Sequence, residues 1–263
     1  MNYYKYRSIR GKGREYTEDL LLRGIFYFSN INSFNDPFEF EFKFDFTASF
    51  EEKIDYFKKE DNKIYEEIIS YKNKSDQLKS IQRFEENHRK CLTRVRNLIN
   101  ENMKVFCLSS TWNNITLWSH YADSHRGICI EFVDLKQLDE RFILNEVKYK
   151  DNLLSCNIYT KKGFDKIHKT KHKSFENEKE YRLVGTNEPK IIINQMSEII
   201  SKIYLGINFD FSDSFVEIIQ NNFPEITIVK LMKSKMKYAV EVEFECFGKE
   251  LSIRNSELNK VKS

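Results

Sequence analysis

Eight glycines and three prolines are spread over 263 residues, and this scarcity constrains the chain more than any other feature. Collagen-like, Gly/Ser-linker and Pro-rich disordered chains are excluded on composition. Glycine-built phosphate cradles are excluded as well. In the only candidate, Gly11-Lys12-Gly13, Tyr16 stands where a dinucleotide fingerprint needs a third small residue, and no glycine precedes a Lys-Ser/Thr pair. A nucleotide bound here must be held by side chains. Lys and Arg number 43 against 40 Asp and Glu, a net charge of +3. That balance argues against a strongly basic nucleic-acid coat or an acidic tail.

The N-terminus carries no apolar stretch of signal-peptide length, and no run of about 18 apolar residues occurs anywhere. The expectation is a cytoplasmic, soluble protein without a membrane partner. Five cysteines, none in a CxxC pair, argue against a disulfide framework. Cys107 and Cys129 sit in apolar strand patterns and read as buried thiols. No HExxH and no Cys/His cluster is present, so no metal is expected.

Along the chain, 3–9 and 25–29 read as strands. Between them 17–23 reads as a helix stopped by Gly24. Asn35-Asp36-Pro37 is a turn signal. Residues 38–46 alternate strictly, with five phenylalanines on one face of an expected strand. Ser49 and Glu52 fit a capping box. The charged stretch from there to 104 reads as a helical insertion of two helices, broken near Asn73-Lys74-Ser75. Further strands are expected at 105–109, 127–133, 144–149, 180–184, 225–231 and 238–247, and helices at 157–172, 195–202 and 211–222. The whole reads as one α+β domain over 1–263, with a mostly antiparallel sheet and the insertion at 49–104.

Four clusters carry more chemistry than packing requires. They are Tyr4-Lys5-Tyr6-Arg7-Ser8; Ser29-Asn30 with Asn35-Asp36-Pro37; 109–127, which holds both tryptophans together with His120 and His125; and Glu178-Lys179-Glu180-Tyr181-Arg182. In the third, Trp118 and Tyr121 share a helical face. In the fourth, strand alternation points Glu178, Glu180 and Arg182 to one side. At a surface that row is a weak set of ion pairs; in a cleft one carboxylate acts and the guanidinium orients it.

These blocks, in this order, resemble a bacterial family catalogued as domain of unknown function 2971. The resemblance rests on 4–7, 28–39, 106–109, 117–123, 125–132, 178–183 and 203–206, and spans about 3–207. Phe175 stands where the family often has Trp, and the last fifty residues match no block.

The family layout is similar to the ADP-ribosyltransferase fold, a split, mostly antiparallel sheet. The resemblance therefore implies an NAD-dependent ADP-ribosyltransferase, a toxin or anti-phage (abortive-infection) effector that modifies a nucleic acid or protein acceptor. An antitoxin or regulatory partner would belong to such a system. NAD enters as substrate. Breaking its nicotinamide–ribose bond builds oxocarbenium character, which a carboxylate from Glu178 or Glu180 stabilises. Arg7 would grip the pyrophosphate. Tyr6, Trp118 or Tyr121 would stack on a ring. Ser29, Asn35 and Asp36 would lie near the ribose or amide, with Arg182 beside the carboxylates. The competing readings are a non-catalytic nucleic-acid-binding module using the Lys/Arg-aromatic stretch 161–173, and an NAD glycohydrolase or nuclease sharing the pocket.

Overall fold

The computed structural model describes residues 1–34, 36–135, 143–186, 189–194, 196–254 and 256. In chain order its elements are β1 Tyr3–Arg7, α1 Gly11–Arg23, β2 Ile25–Tyr27, β3 Ser29–Asn30 and β4 Phe42–Asp45, then α2 Phe50–Glu60, α3 Asn62–Ser70, α4 Lys74–Lys90 and α5 Leu92–Asn102. The chain continues with β5 Met103–Ser109, α6 Ile115–Tyr121, β6 Ile128–Phe132, β7 Ile143–Glu146, β8 Lys148–Lys150, β9 Leu154–Asn157 and β10 Thr170–His172. It ends with β11 Glu180–Thr186, β12 Lys190–Ile192, α7 Met196–Ile199, β13 Ile200–Leu205, α8 Phe215–Asn222, β14 Thr227–Lys233 and β15 Val240–Phe247.

The sequence reads as one domain with an insertion. By their contacts the residues group into two compact units: 1–29 with 104–147 and 174–263, and 30–103 with 148–173. The first unit is built on a large sheet whose path runs β15-β14-β13-β6-β1-β5-β11-β7. β1 runs antiparallel to β5 and β6, β6 to β13, β14 to β15 and β11 to β7, while β13 and β14 are parallel. A mixed α/β fold with a large, mostly antiparallel sheet is therefore what the chain adopts. Alternation along the strands sends Phe106, Leu108, Ile128, Ile130, Ile203, Leu205 and Leu183 into the main core beneath α1 and α8. Tyr6, Cys129, Tyr204 and Val229 go to a second core packed by Leu117 and Trp118 of α6.

The sheet has one weak seam. β1 pairs with β6 over five consecutive residues, yet it meets β5 only at Tyr4–Ser109. The strands on the β6 side and those on the β11 side are thus joined by a single pair.

In the second unit, α2 to α4 pack Phe57, Ile68, Ile81 and Phe84 against Tyr159 and Ile158. The Ser49/Glu52 capping box is present, and Asn73 caps α4. Two helices are expected here and four form, because Asp61 caps α3 and a further break falls at Cys91.

Four expectations are corrected. The alternating stretch 38–46 is a strand only at Phe42–Asp45. Asp36 accepts the Phe38 and Glu39 amides, Phe40 takes φ +61° and its ring meets Phe34, so the turn begun at Asp36-Pro37 runs on and leaves Phe38 exposed. The stretch 157–172 is not a helix but the end of β9, a 3-10 segment Phe164–Lys169 and β10; Gly163 at φ +103° breaks it. Beyond Gln195, which lies outside the described residues, a four-residue helix gives way to β13 at Ile200, where a helix to 202 is expected. α1 starts at Gly11, six residues before the expected position, although it does end at Gly24 with φ +64°.

Candidate functional site

The seam between β1 and β5 gathers the charged groups of the first unit. Because β5 is barely laddered to β1, its Cys107 carbonyl accepts a side chain: the Lys5 Nζ donates to it at 2.7 Å and lies 4.4 Å from the centre of the Phe106 ring. Arg7, two residues on and on the same face, stands over that ring at 5.9 Å. Among the described residues the Arg7 side chain makes no hydrogen bond and no ion pair, and its buried Nε has no partner. Burial pushes its guanidinium down to about 10, opposed by nearby Tyr16. Burial and then the Arg7 charge push the Lys5 ammonium down to about 8, against the raising effect of Cys107 and Glu180. Two cations are thus held together at the seam, and neither is in an ion pair among the described residues.

On the opposite face of the sheet lies a carboxylate clamp. Tyr181 and Leu183 point to the main core, so Glu180 and Arg182 point away from it. Arg182 is fully buried and donates to both Glu180 oxygens, Nε at 2.7 Å and Nη2 at 3.1 Å. This bidentate pair fixes the carboxylate plane. Cys107 faces the same way. Burial, with Glu180 second, pushes its thiol up, so it stays protonated and unreactive. The seam therefore has Arg7 on one face, the Glu180–Arg182 pair on the other, and the Lys5 ammonium within electrostatic reach of both.

The backbone around Glu178 is held by the motif after β5. Ser109 Oγ donates to the Glu178 carbonyl at 2.7 Å, and the Ser110 amide to the Lys179 carbonyl at 3.0 Å. Asn114 Nδ2 donates to the Asn177 carbonyl at 2.6 Å. Tyr6 ties that motif to β1: its hydroxyl donates to the Thr111 carbonyl and accepts the Asn114 amide. Asn114 also caps α6. Glu178 ends a 3-10 segment and Lys179 takes φ +47°, so Glu178 does not continue the alternation of β11. The expected three-residue row is really two residues preceded by a turn.

The remaining candidates separate. Trp118 is fully buried, edge-on to Tyr6 at 5.3 Å, with its indole N–H on the Trp112 carbonyl. It packs the second core, as Tyr6 does. Tyr121, three residues on, is 44% exposed. Ser29 is exposed. Asp36 belongs to the second unit and caps a turn there, and Asn35 lies outside the described residues.

The sequence reading put Lys5 in the first cluster but gave it no role, although its signal was present: a lysine in strand alternation with Arg7. Gly127 closes the third cluster, but its role was not read. A Cβ there would sit 2.1 Å from the Arg7 carbonyl, so only glycine lets the loop after α6 touch β1 at the point that carries Arg7. Among the described residues no group of three or more His, Cys, Asp or Glu is placed to hold a metal, and no helix is long and apolar enough to cross a membrane.

Fold and site define the class: an α+β protein with a charged seam in a mostly antiparallel sheet. Residues 117–183, from α6 into β11, match the family described as Protein of unknown function (DUF2971). The family resemblance read from the sequence is shown for that segment. No curated protein and no solved structure matches the chain.

Proposed function

We propose that the protein is an NAD-dependent ADP-ribosyltransferase-like enzyme of the toxin or phage-defence kind, working at the seam between β1 and β5. The observation that carries this reading is Arg7: a half-buried guanidinium on the first strand whose Nε is buried without a partner and which meets no carboxylate among the described residues. Such a group costs stability unless an anion joins it, and a pyrophosphate supplies that anion with bidentate geometry. Glu180 is the complementary element. Its plane is fixed by Arg182, and a fixed carboxylate stabilises the positive charge that develops as the nicotinamide–ribose bond breaks.

In this reading NAD spans the seam: Arg7 and Lys5 hold the phosphates from one face of the sheet, Glu180 meets the ribose from the other, and Arg182 and the 109–114 motif position that carboxylate. The charged stretch 161–173 supports the competing nucleic-acid module less well. In the second unit Lys161 pairs with Glu60 at 2.8 Å, and the buried Lys171 lies 3.5 Å from Glu39. The test is incubation of the purified chain with NAD labelled in the adenylate, with and without cell extract. Nicotinamide release with label transfer supports the transferase. Free ADP-ribose as sole product makes it a glycohydrolase. Neither product, at any extract concentration, removes the proposal.

A further inference from the structure

The hairpin joining β14 and β15 ends in a surface that the catalytic reading does not use. Its tip reads Lys233-Ser234-Lys235-Met236-Lys237-Tyr238. Met236 is 92% exposed and Tyr238 98%. Lys233, Lys235 and Lys237 are exposed too, and none of their side chains has a hydrogen bond or ion pair among the described residues. The backbone beneath them is tied: the Ser234 amide donates to the Ala239 carbonyl at 3.0 Å, the Ala239 amide to Lys237, and the Met236 amide to Ser234 Oγ. A tied loop that presents two large apolar side chains to water between three uncompensated cations is a contact surface.

Its position adds to the argument. Arg7 pairs with Ile128, Ile128 with Leu205, and Leu205 with Lys230. Strands β1, β13 and β14 run the same way, so the tip projects from the Arg7 end of the sheet. Three strand spacings, about 14 Å, separate the two strands across the sheet.

We infer that this tip binds single-stranded nucleic acid, the lysines meeting phosphates and the Tyr238 ring stacking on a base. Unpaired lysines around an aromatic ring fit a strand with exposed bases. An anionic membrane fits less well: adsorption of that kind draws on clusters of about 4–8 basic residues, and Glu241, Glu243 and Glu245 follow on β15. If the seam transfers ADP-ribose, the tip would hold its acceptor, and that extension rests on the proposed function. The binding itself does not, so it is measured without NAD.

The experiment is fluorescence anisotropy of the full chain with labelled oligothymidylate and oligouridylate. Three phosphate contacts give a Kd that weakens roughly 20-fold between about 50 and 200 mM salt. Tyr238→Ala weakens binding by about 5- to 150-fold at fixed salt, and Tyr238→Phe retains it. Lys233→Ser, Lys235→Ser and Lys237→Ser together flatten the salt dependence. These side chains are fully exposed, so thermal unfolding of the variants should match wild type. Absence of binding at about 50 mM salt, equal binding by the Tyr238→Ala and triple variants, or preference for phosphatidylserine vesicles would each overturn the inference.

Discussion

Arg7→Met isolates the charge that the account treats as functional. The fall of the guanidinium from 12.5 to about 10 sets an upper bound of about 3 kcal/mol, at 1.36 kcal/mol per tenfold, on the penalty for holding this half-buried cation at the seam. Methionine keeps much of the side chain's length and its contact with the Phe106 ring while removing that penalty. No partner is left unpaired, because Arg7 has none among the described residues. The variant should therefore unfold later than wild type, by about 1–3 kcal/mol, or roughly 2–4 °C in Tm per kcal/mol. The second half of the experiment adds NAD or ADP. At about a hundred times Kd a ligand adds roughly 2.7 kcal/mol to a protein that binds it only when folded. Wild type should gain this and Arg7→Met should not. Differential scanning calorimetry with and without nucleotide reads both effects. A variant destabilised by more than about 1 kcal/mol, or stabilised by nucleotide as strongly as wild type, would show that Arg7 serves the fold.

Lys5→Met tests the second cation through pH. Its folded-state pKa lies near 8, below the ordinary 10.5, so the unfolded chain holds more protons between those values. Wild-type stability relative to Lys5→Met should then rise from about pH 8 to 10.5; a flat difference in urea midpoints would count against a buried ammonium. Gly127→Ala forces a Cβ to 2.1 Å from the Arg7 carbonyl, and should cost more than about 2 kcal/mol in urea unfolding, with loss of nucleotide binding. Trp118→Ala should cost about 3–5 kcal/mol as a core deletion; if stability holds while only activity falls, Trp118 is not the packing residue described. Arg182→Met leaves Glu180 buried without its clamp and should destabilise by about 3–5 kcal/mol. Stability should recover in part when Glu180→Gln is added, which a double-mutant cycle measures.

The strand and helix patterns of the large sheet were legible where alternation or capping had no competitor. Examples are β1, β5, β6 and β15, the helix stop at Gly24, and the Ser49 capping box. They failed where a residue left the regular backbone. Phe40 and Lys179, both with positive φ, ended an alternation that the side-chain pattern alone would have continued. β13 was hidden because its residues, Ile200 to Leu205, follow a helix-like run without a breaker, and only pairing with β6 and β14 decides its conformation. At the site, Arg7, Glu180 and Arg182 were visible as charges in apolar strands. That the sheet is nearly parted at Tyr4–Ser109, which makes Lys5 and Arg7 neighbours of Cys107 and Phe106, is a property of register and is not written in local sequence.

The proposed function stands on Glu180, held by Arg182, meeting the ribose of NAD across the seam from Arg7. The most direct measurement is nicotinamide release from NAD by wild type and Glu180→Gln, each first shown to be folded by calorimetry. Wild type should release nicotinamide, and Glu180→Gln should lose about a hundredfold or more, on the scale of removing one preorganised electrostatic contact. Equal rates in two folded proteins, or no release from wild type, would contradict it.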